Sequence, residues 1–321
     1  MPPSLASTAP SSLPLDLQLN GFRGLDFAAT DLDPRALAAA CAAFRAAGGG
    51  QFLATLITDS IATLEEKTAR LALCIDSDPQ VKETVAGIHI EGPFIREERG
   101  FVGAHPPEHT RDASPSLMER ILAAGQGHVR MVTLAPERDP GLRTIALLAS
   151  RGILVAAGHC DPSLGLLHEA CAAGLQAFTH LGNGCPHLLP RHDNIIHRVL
   201  ASEALRWVTL IADGVHLPPF LLGIILKVLG PDRAIVVSDA TAAAGMGPGT
   251  FRLGAQGVVV GEDGAAWSED HTHLVGSTAT IQRLKGVLAE AVGLDDAMIH
   301  RLLAVNPRRA LEVAGERSRA P

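Results

Sequence analysis

Eight short apolar runs recur along the chain, separated by longer stretches rich in alanine and leucine. The runs cover residues 15–20, 51–57, 85–91, 129–135, 153–158, 176–180, 207–212 and 234–239. A run that is apolar throughout, without alternation, belongs to a strand buried on both faces. Helices must then cover both faces of a parallel sheet. Helical stretches at 34–47, 61–75, 115–124, 141–151, 163–173, 195–204 and 218–229 separate the runs, and another lies at 278–292. Eight such units predict a closed (β/α)8 TIM barrel in the α/β class. An open doubly wound sheet is the other arrangement the alternation permits.

Local signals mark some boundaries. Gly48-Gly49-Gly50 stops the helix before the second strand, and Asp161-Pro162 reads as an N-cap followed by the first helical residue. Residues 250–277 break the rhythm with GVVVG, EDG and AAWS, which predicts a β-hairpin inserted after the eighth strand. The expected layout is a flexible N-terminal tail over 1–14, one barrel domain over 15–313 and a C-terminal tail over 314–321.

Composition limits what such a barrel can do. Hydrophobic residues make up 47% of 321 residues, enough for a large buried core. A net charge of −7 without basic clusters argues against nucleic acid as a partner, and 3% aromatic content with no tyrosine leaves no stacking platform. No 18-residue apolar run lacks a charge or a breaker, so no membrane span is expected. The five cysteines (Cys41, Cys74, Cys160, Cys171 and Cys185) form no C-x-x-C pair and fit a reducing cytoplasm. The first 14 residues, MPPSLASTAPSSLP, lack the basic start and apolar centre of a standard signal peptide.

A barrel of this kind places its functional groups at the C-terminal ends of its strands. Gln18 and Asn20 end the first run, Glu91 the third, His159 the fifth and His180 the sixth. Asp213 and His216 follow the seventh, and Asp239 ends the eighth. One Glu and two His converging on one mouth are a plausible three-ligand set for a divalent metal, leaving a position open for water. Each residue taken singly has a simpler reading, as a hydrogen-bonded group satisfied inside the fold, and at this level both readings stand. His89, in the same IHIEG run, reads as a core histidine; Cys160 and Cys185 read as small packing residues.

These residues sit in motifs whose order resembles the N-acetylglucosamine-6-phosphate deacetylase family of the amidohydrolase superfamily. The matching pieces are DLQLNG (16–21), FLATLIT (52–58), GIHIEGPFI (87–95), GAHPPE (103–108), VTLAPE (132–137), GHCDPS (158–163), FTHLGNGCP (178–186), IADGVHLP (211–218), VVSDATAAAG (236–245), LVGSTATI (274–281) and NPRRALEV (306–313). The resemblance implies a catalytic barrel holding one divalent metal, zinc first, with iron, manganese or cobalt also compatible. By position, Glu91, His159 and His180 match the metal ligands, Asp239 the catalytic acid–base, and His216 the residue at the substrate's amide carbonyl. His105, Asn183 and Gly184 match substrate-side positions, and Arg191 matches a phosphate-binding residue that crosses to a neighbouring subunit, which implies a homodimer.

Two features depart from the family pattern. Gln18-Leu19-Asn20 stands where many amidohydrolases carry H-x-H, which implies a single tightly held metal because amides are weak ligands. The family's small β-sandwich, built from both chain ends, is expected to be missing. The expected reaction is hydrolysis of the acetamide of N-acetylglucosamine 6-phosphate to glucosamine 6-phosphate and acetate. The alternatives are an amidohydrolase acting on another amide, a cyclic imide or a carbamate, and a non-catalytic sugar-phosphate-binding relative.

Overall fold

A computed structural model describes residues 12–253, 256–270 and 274–317. The eight expected runs form eight parallel strands in one sheet: β1 (Leu15–Leu19), β2 (Gln51–Ile57), β3 (Val85–Glu91), β4 (Val129–Leu134), β5 (Leu154–Ala157), β6 (Ala177–Phe178), β7 (Trp207–Ile211) and β8 (Ala234–Val237). Sheet order follows chain order. The Asp239 amide donates to Gln18 O at 3.0 Å and the Asn20 amide to Ala240 O at 2.8 Å, which joins the last strand's end to the first's and closes the barrel. A two-stranded ribbon, Gly21–Phe22 with Leu25–Asp26, follows β1.

Helices α1 (Pro34–Ala46), α2 (Ile61–Ser77), α3 (Pro79–Thr84), α4 (Pro115–Ala124), α5 (Arg143–Ser150), α6 (Leu164–Ala173), α7 (Ile195–Ala201) and α8 (Pro219–Leu229) lie between the strands. Three more, α9 (Ile281–Gly286), α10 (Asp296–His300) and α11 (Asn306–Arg317), follow β8. The Asp33 side chain accepts from the amides of Arg35 and Ala36 ahead of Pro34, and Asp78 does the same for Gln80 and Val81 ahead of Pro79. The expected cap at Asp161 is corrected. Helix α6 begins at Leu164, and Ser163 caps it by accepting from Leu166 N, while Asp161 accepts from Arg198 Nη1 at 2.8 Å.

Side-chain alternation sorts the core into two parts. Residues such as Leu37, Leu64, Ile88, Ile90, Val132 and Leu210 fill the layer between strands and helices. The barrel interior holds Leu15, Leu17, Leu53, Met131, Leu154, Ala156, Ala177, Trp207, Ile235 and Val237, joined by Ala310, Leu311 and Ala314 of α11. Above that apolar plug lies a polar layer. Buried His89 bonds to Thr133 Oγ1 at 2.8 Å, and Thr133 donates to Thr179 at 3.4 Å. The ionisable strand ends form the layer above.

The inserted segment is larger than the hairpin expected. Three antiparallel strands, β9 (Gly249–Leu253), β10 (Gln256–Val260) and β11 (Ala266–Ser268), form a separate sheet. The EDG stretch makes the second turn, with Asp263 Oδ1 accepting from Ala265 N at 3.0 Å, and AAWS supplies the third strand. Helix α11 runs through Arg317, so residues 314–317 of the expected C-terminal tail are helical. Residues 1–11 of the expected N-terminal tail and 318–321 of the C-terminal one lie outside the described residues.

Asp16 is buried in the seam between β1 and β8, where it accepts from the Ser238 amide at 3.2 Å and the Gln18 amide at 3.2 Å. Burial pushes its pKa up to about 7 from 3.8. A carboxyl raised on folding favours the native state below about pH 4, and that contribution is lost as pH rises through about 7. Asp16→Asn keeps an acceptor oxygen but cannot ionise. The variant's unfolding free energy relative to wild type should therefore improve from pH 5 to pH 8, by about 3 kcal/mol at most. A denaturant series showing a pH-independent difference would contradict this.

Candidate active site

Six polar strand ends meet in one cavity of about 570 Å3, lined among others by Asn20, Glu91, His105, His159, His180, Asn183, Gly184, His216 and Asp239. Three of the ionisable ones share an unusual backbone. His159 (φ 52°), His180 (φ 33°) and Asp239 (φ 47°) are left-handed, and the described chain has only three other non-glycine residues of this kind, Arg23, Gln126 and Leu142. Such conformations cost about 1–3 kcal/mol each and persist where the surroundings impose them. Here the chain turns at the strand end and aims the side chain across the mouth.

Glu91 is the centre of the cluster. Its Oε1 accepts from His180 Nε2 at 2.9 Å and Gln18 Nε2 at 3.0 Å, and His159 Nε2 stands 3.3 Å away. The two imidazole Nε2 atoms are 3.1 Å apart. Burial alone would raise the Glu91 pKa, but the two imidazoles outweigh it and hold the carboxyl well below the usual carboxylate range. The same hydrogen bond overcomes burial at His180 and raises its pKa.

This donor set fits a divalent cation. Ligand bonds of about 2.0–2.1 Å at tetrahedral angles put donor atoms about 3.3 Å apart, close to the spacings here. The Phe101 carbonyl accepts from His159 Nδ1 at 2.7 Å, which leaves the His159 Nε2 lone pair toward Glu91. His105 also lies within reach: its ligand atom and those of Glu91 and His159 fall within 4.8 Å of one another. Its hydrogen bonding argues for another task. The Thr58 amide can only donate, and at 3.3 Å it fixes His105 Nδ1 as an acceptor. The ring proton then sits on Nε2, 3.7 Å from Glu91 Oε2. Burial and neighbouring His159 push His105 down to about 3, so the ring is neutral and presents an N–H to the cavity.

Two further carboxylates, Asp239 and Asp213, stand at the ends of β8 and β7. Burial and the Glu91 charge push Asp239 up to about 6, and Asn20 Nδ2 donates to its Oδ1 at 2.8 Å. Asp213 Oδ2 accepts from His216 Nδ1 at 2.7 Å, and its Oδ1 accepts from the Val215 and His216 amides. Burial opposes ionisation of Asp213, but the bond to His216 prevails and lowers its pKa. Gln18 and Asn20 thus donate to the two central carboxylates. Sequence reasoning placed both at the mouth without that role, and it missed Thr58 as the anchor of His105. The D-x-x-H spacing of Asp213 and His216 was the signal for their pairing.

Asn183 and Gly184 lie on the loop after His180, and Asn183 Nδ2 has no partner among the described residues. Gly184 has φ +61°, and a Cβ there would sit 2.9 Å from His159 Nδ1, so the loop backbone rests on that ring. Arg191 is exposed and is not among the residues lining the cavity.

The chain is similar to curated proteins named N-acetylglucosamine-6-phosphate deacetylase. The Danio rerio protein is 34% identical over 313 residues, covering 92% of this chain and 75% of the relative. The Bos taurus protein is 32% identical over 314 residues, covering 92% and 74%. The crystal structure of N-acetyl-D-glucosamine-6-phosphate deacetylase from Mycobacterium smegmatis superposes with a TM-score of 0.84 at 32% identity, covering 97% of this chain and 82% of that one. No protein-family model matches the chain.

Glu91→Gln should weaken binding of Zn2+ by ~100-fold or more, because it removes the anionic donor. Gln18→Ala, which removes only a hydrogen bond to that donor, should cost about tenfold. Competition against a chromophoric chelator measures both. Wild-type affinity in Glu91→Gln would mean that Glu91 is not a metal ligand.

Proposed function

The chain belongs to the N-acetylglucosamine-6-phosphate deacetylase family, and on that premise we propose that it hydrolyses the acetamide of N-acetylglucosamine 6-phosphate, giving glucosamine 6-phosphate and acetate. The observation that carries this reading is the convergence of Glu91, His159 and His180 within 3.3 Å beside an acid–base carboxylate, Asp239. A non-catalytic binding module has no use for such a carboxylate.

Glu91, His159 and His180 would hold one divalent cation, and zinc suits the one-carboxylate, two-imidazole set. Such a cation would bring the pKa of water down toward neutrality and polarise a carbonyl oxygen. Asp239 takes the proton from the attacking water and later gives it to the departing amine nitrogen. Its raised pKa suits both tasks, since a group near neutrality both accepts and releases a proton. Asn20 holds the carboxylate in place through Oδ1 and leaves Oδ2 for the proton.

His216, fixed through Nδ1 by ionised Asp213, offers the other edge of its ring to the carbonyl oxygen. A proton on that edge stabilises the negative charge that develops there. His105 adds the second ring donor, its Nε2–H facing the cavity. Asn183 and the Gly184 backbone receive the phosphate end of the sugar. Arg191, exposed and outside its own cavity, serves the site of a second copy in a homodimer. The buried or half-buried free thiols Cys41, Cys74, Cys160 and Cys185 support a cytoplasmic setting. No helix of the described residues is long and apolar enough to cross a membrane.

Acetate release from N-acetylglucosamine 6-phosphate, with metal content measured in parallel, tests the reading; metal-replete protein that releases none would refute it. Asp239→Asn keeps the acceptor for Asn20 but cannot take a proton, so kcat should fall about 1,000-fold with metal content unchanged. In the wild type, kcat/KM should fall on the acid side of about pH 6, where Asp239 is protonated. A pH profile flat from 5 to 7 would remove Asp239 from the base role.

A further inference from the structure

This chain puts few groups into the cavity that could recognise the phosphate of a phosphorylated ligand. Asp26, Glu91 and Asp239 line it, and no lysine or arginine does. The basic side chains that this chain itself puts in the lining are all histidines, His105, His159, His180, His187 and His216, while the Arg191 assigned above comes from a second copy. Four of the five are engaged. His159 and His180 face Glu91, His105 is tied to Thr58, and His216 is paired with Asp213. His187 alone is exposed, and no hydrogen bond or ion pair ties it to another described residue.

The loop under His187 is held from two sides. Gly184 rests on the His159 ring, as described. Pro186 packs on Gly100, whose φ of +94° is left-handed and where a Cβ would fall 2.8 Å from Pro186 Cα. The peptide just before His187 is therefore clamped between the metal-site imidazole and the 96–103 loop. That places the His187 ring at the cavity mouth, on the same loop as the unpartnered Asn183 amide.

We propose that His187 is a specificity-determining residue that contacts the phosphomonoester of the substrate from within the same chain; this rests on the phosphorylated amino sugar proposed above. Asn183 and His187 each bring a side-chain N–H donor from the same loop to the cavity. Two donors aimed at one anionic group favour a 6-phosphate over a free hydroxyl.

The test is calorimetric titration of the full-length, metal-loaded protein with glucosamine 6-phosphate and with glucosamine. Wild type should bind the phosphorylated sugar at least tenfold more tightly, and His187→Gln should lose about tenfold of that preference, the size of one charge-assisted hydrogen bond. Binding of glucosamine should not change. His187→Arg should keep the preference, and Leu188→Ala, at a neighbouring residue that is 92% exposed and outside the lining, controls for loop disturbance.

In acetate-release assays His187→Gln should raise KM for N-acetylglucosamine 6-phosphate about tenfold and leave kcat within about twofold. Undiminished preference in His187→Gln, or equal losses for both sugars, would overturn the proposal. The binding arm needs no turnover. A wild type that binds the phosphorylated sugar through His187 but releases no acetate would sink the deacetylase reading and leave this one standing.

Discussion

Burial of the Glu91 carboxylate organises everything around it. A charge this far from water is costly unless paired and hydrogen-bonded. Three partners from three other strands answer that cost: Gln18 near the end of β1, His159 after β5 and His180 after β6. None is close to Glu91 in sequence. Removing any one leaves a buried anion short of a partner, so the arrangement stands or falls together. The same charge acts nearby, adding to burial in raising Asp239 into the range where a carboxyl can move a proton.

The barrel interior separates stability from function by height. Apolar side chains and α11 fill the lower end, threonines and a neutral His89 form the middle, and the ionisable groups occupy the top. Burial pushes His89 down to about 4, so it adds no charge beneath the cluster. The strain of the left-handed His159, His180 and Asp239 is carried by regular hydrogen bonding around them, such as the 2.7 Å bond from the His180 amide to Thr209 Oγ1.

Most of the architecture was legible because burial writes a simple code. Strands buried on both faces read as uninterrupted apolar runs, and all eight expected runs begin at the observed strand or within a residue of it. Helix starts were harder. Pro162 looked like a first helical residue, yet Ser163 won because its hydroxyl reaches Leu166 N while Asp161 is drawn to Arg198. The inserted sheet was under-read in one strand: GVVVG and AAWS form the expected hairpin of β10 and β11, and the strand missed is β9, which only its pairing with β10 reveals. At the site, the strand-end rule located Glu91, His159, His180, His216 and Asp239. The tautomer of His105 was not legible, because Thr58 lies 47 positions away and only the fold brings its amide alongside.

Closure of the barrel carries a further consequence. Asp239 and Asn20 bond across the seam where the last strand meets the first, 219 positions apart. The Asp239 carboxylate therefore acquires its orienting partner only when the two ends of the sheet find each other. A nascent chain lacking β8 already carries Glu91, His159 and His180 yet not Asp239. Gathering of the imidazole–carboxylate cluster and arrival of that last carboxylate are thus separable events in the molecule's maturation, and the second reports that the circle is complete.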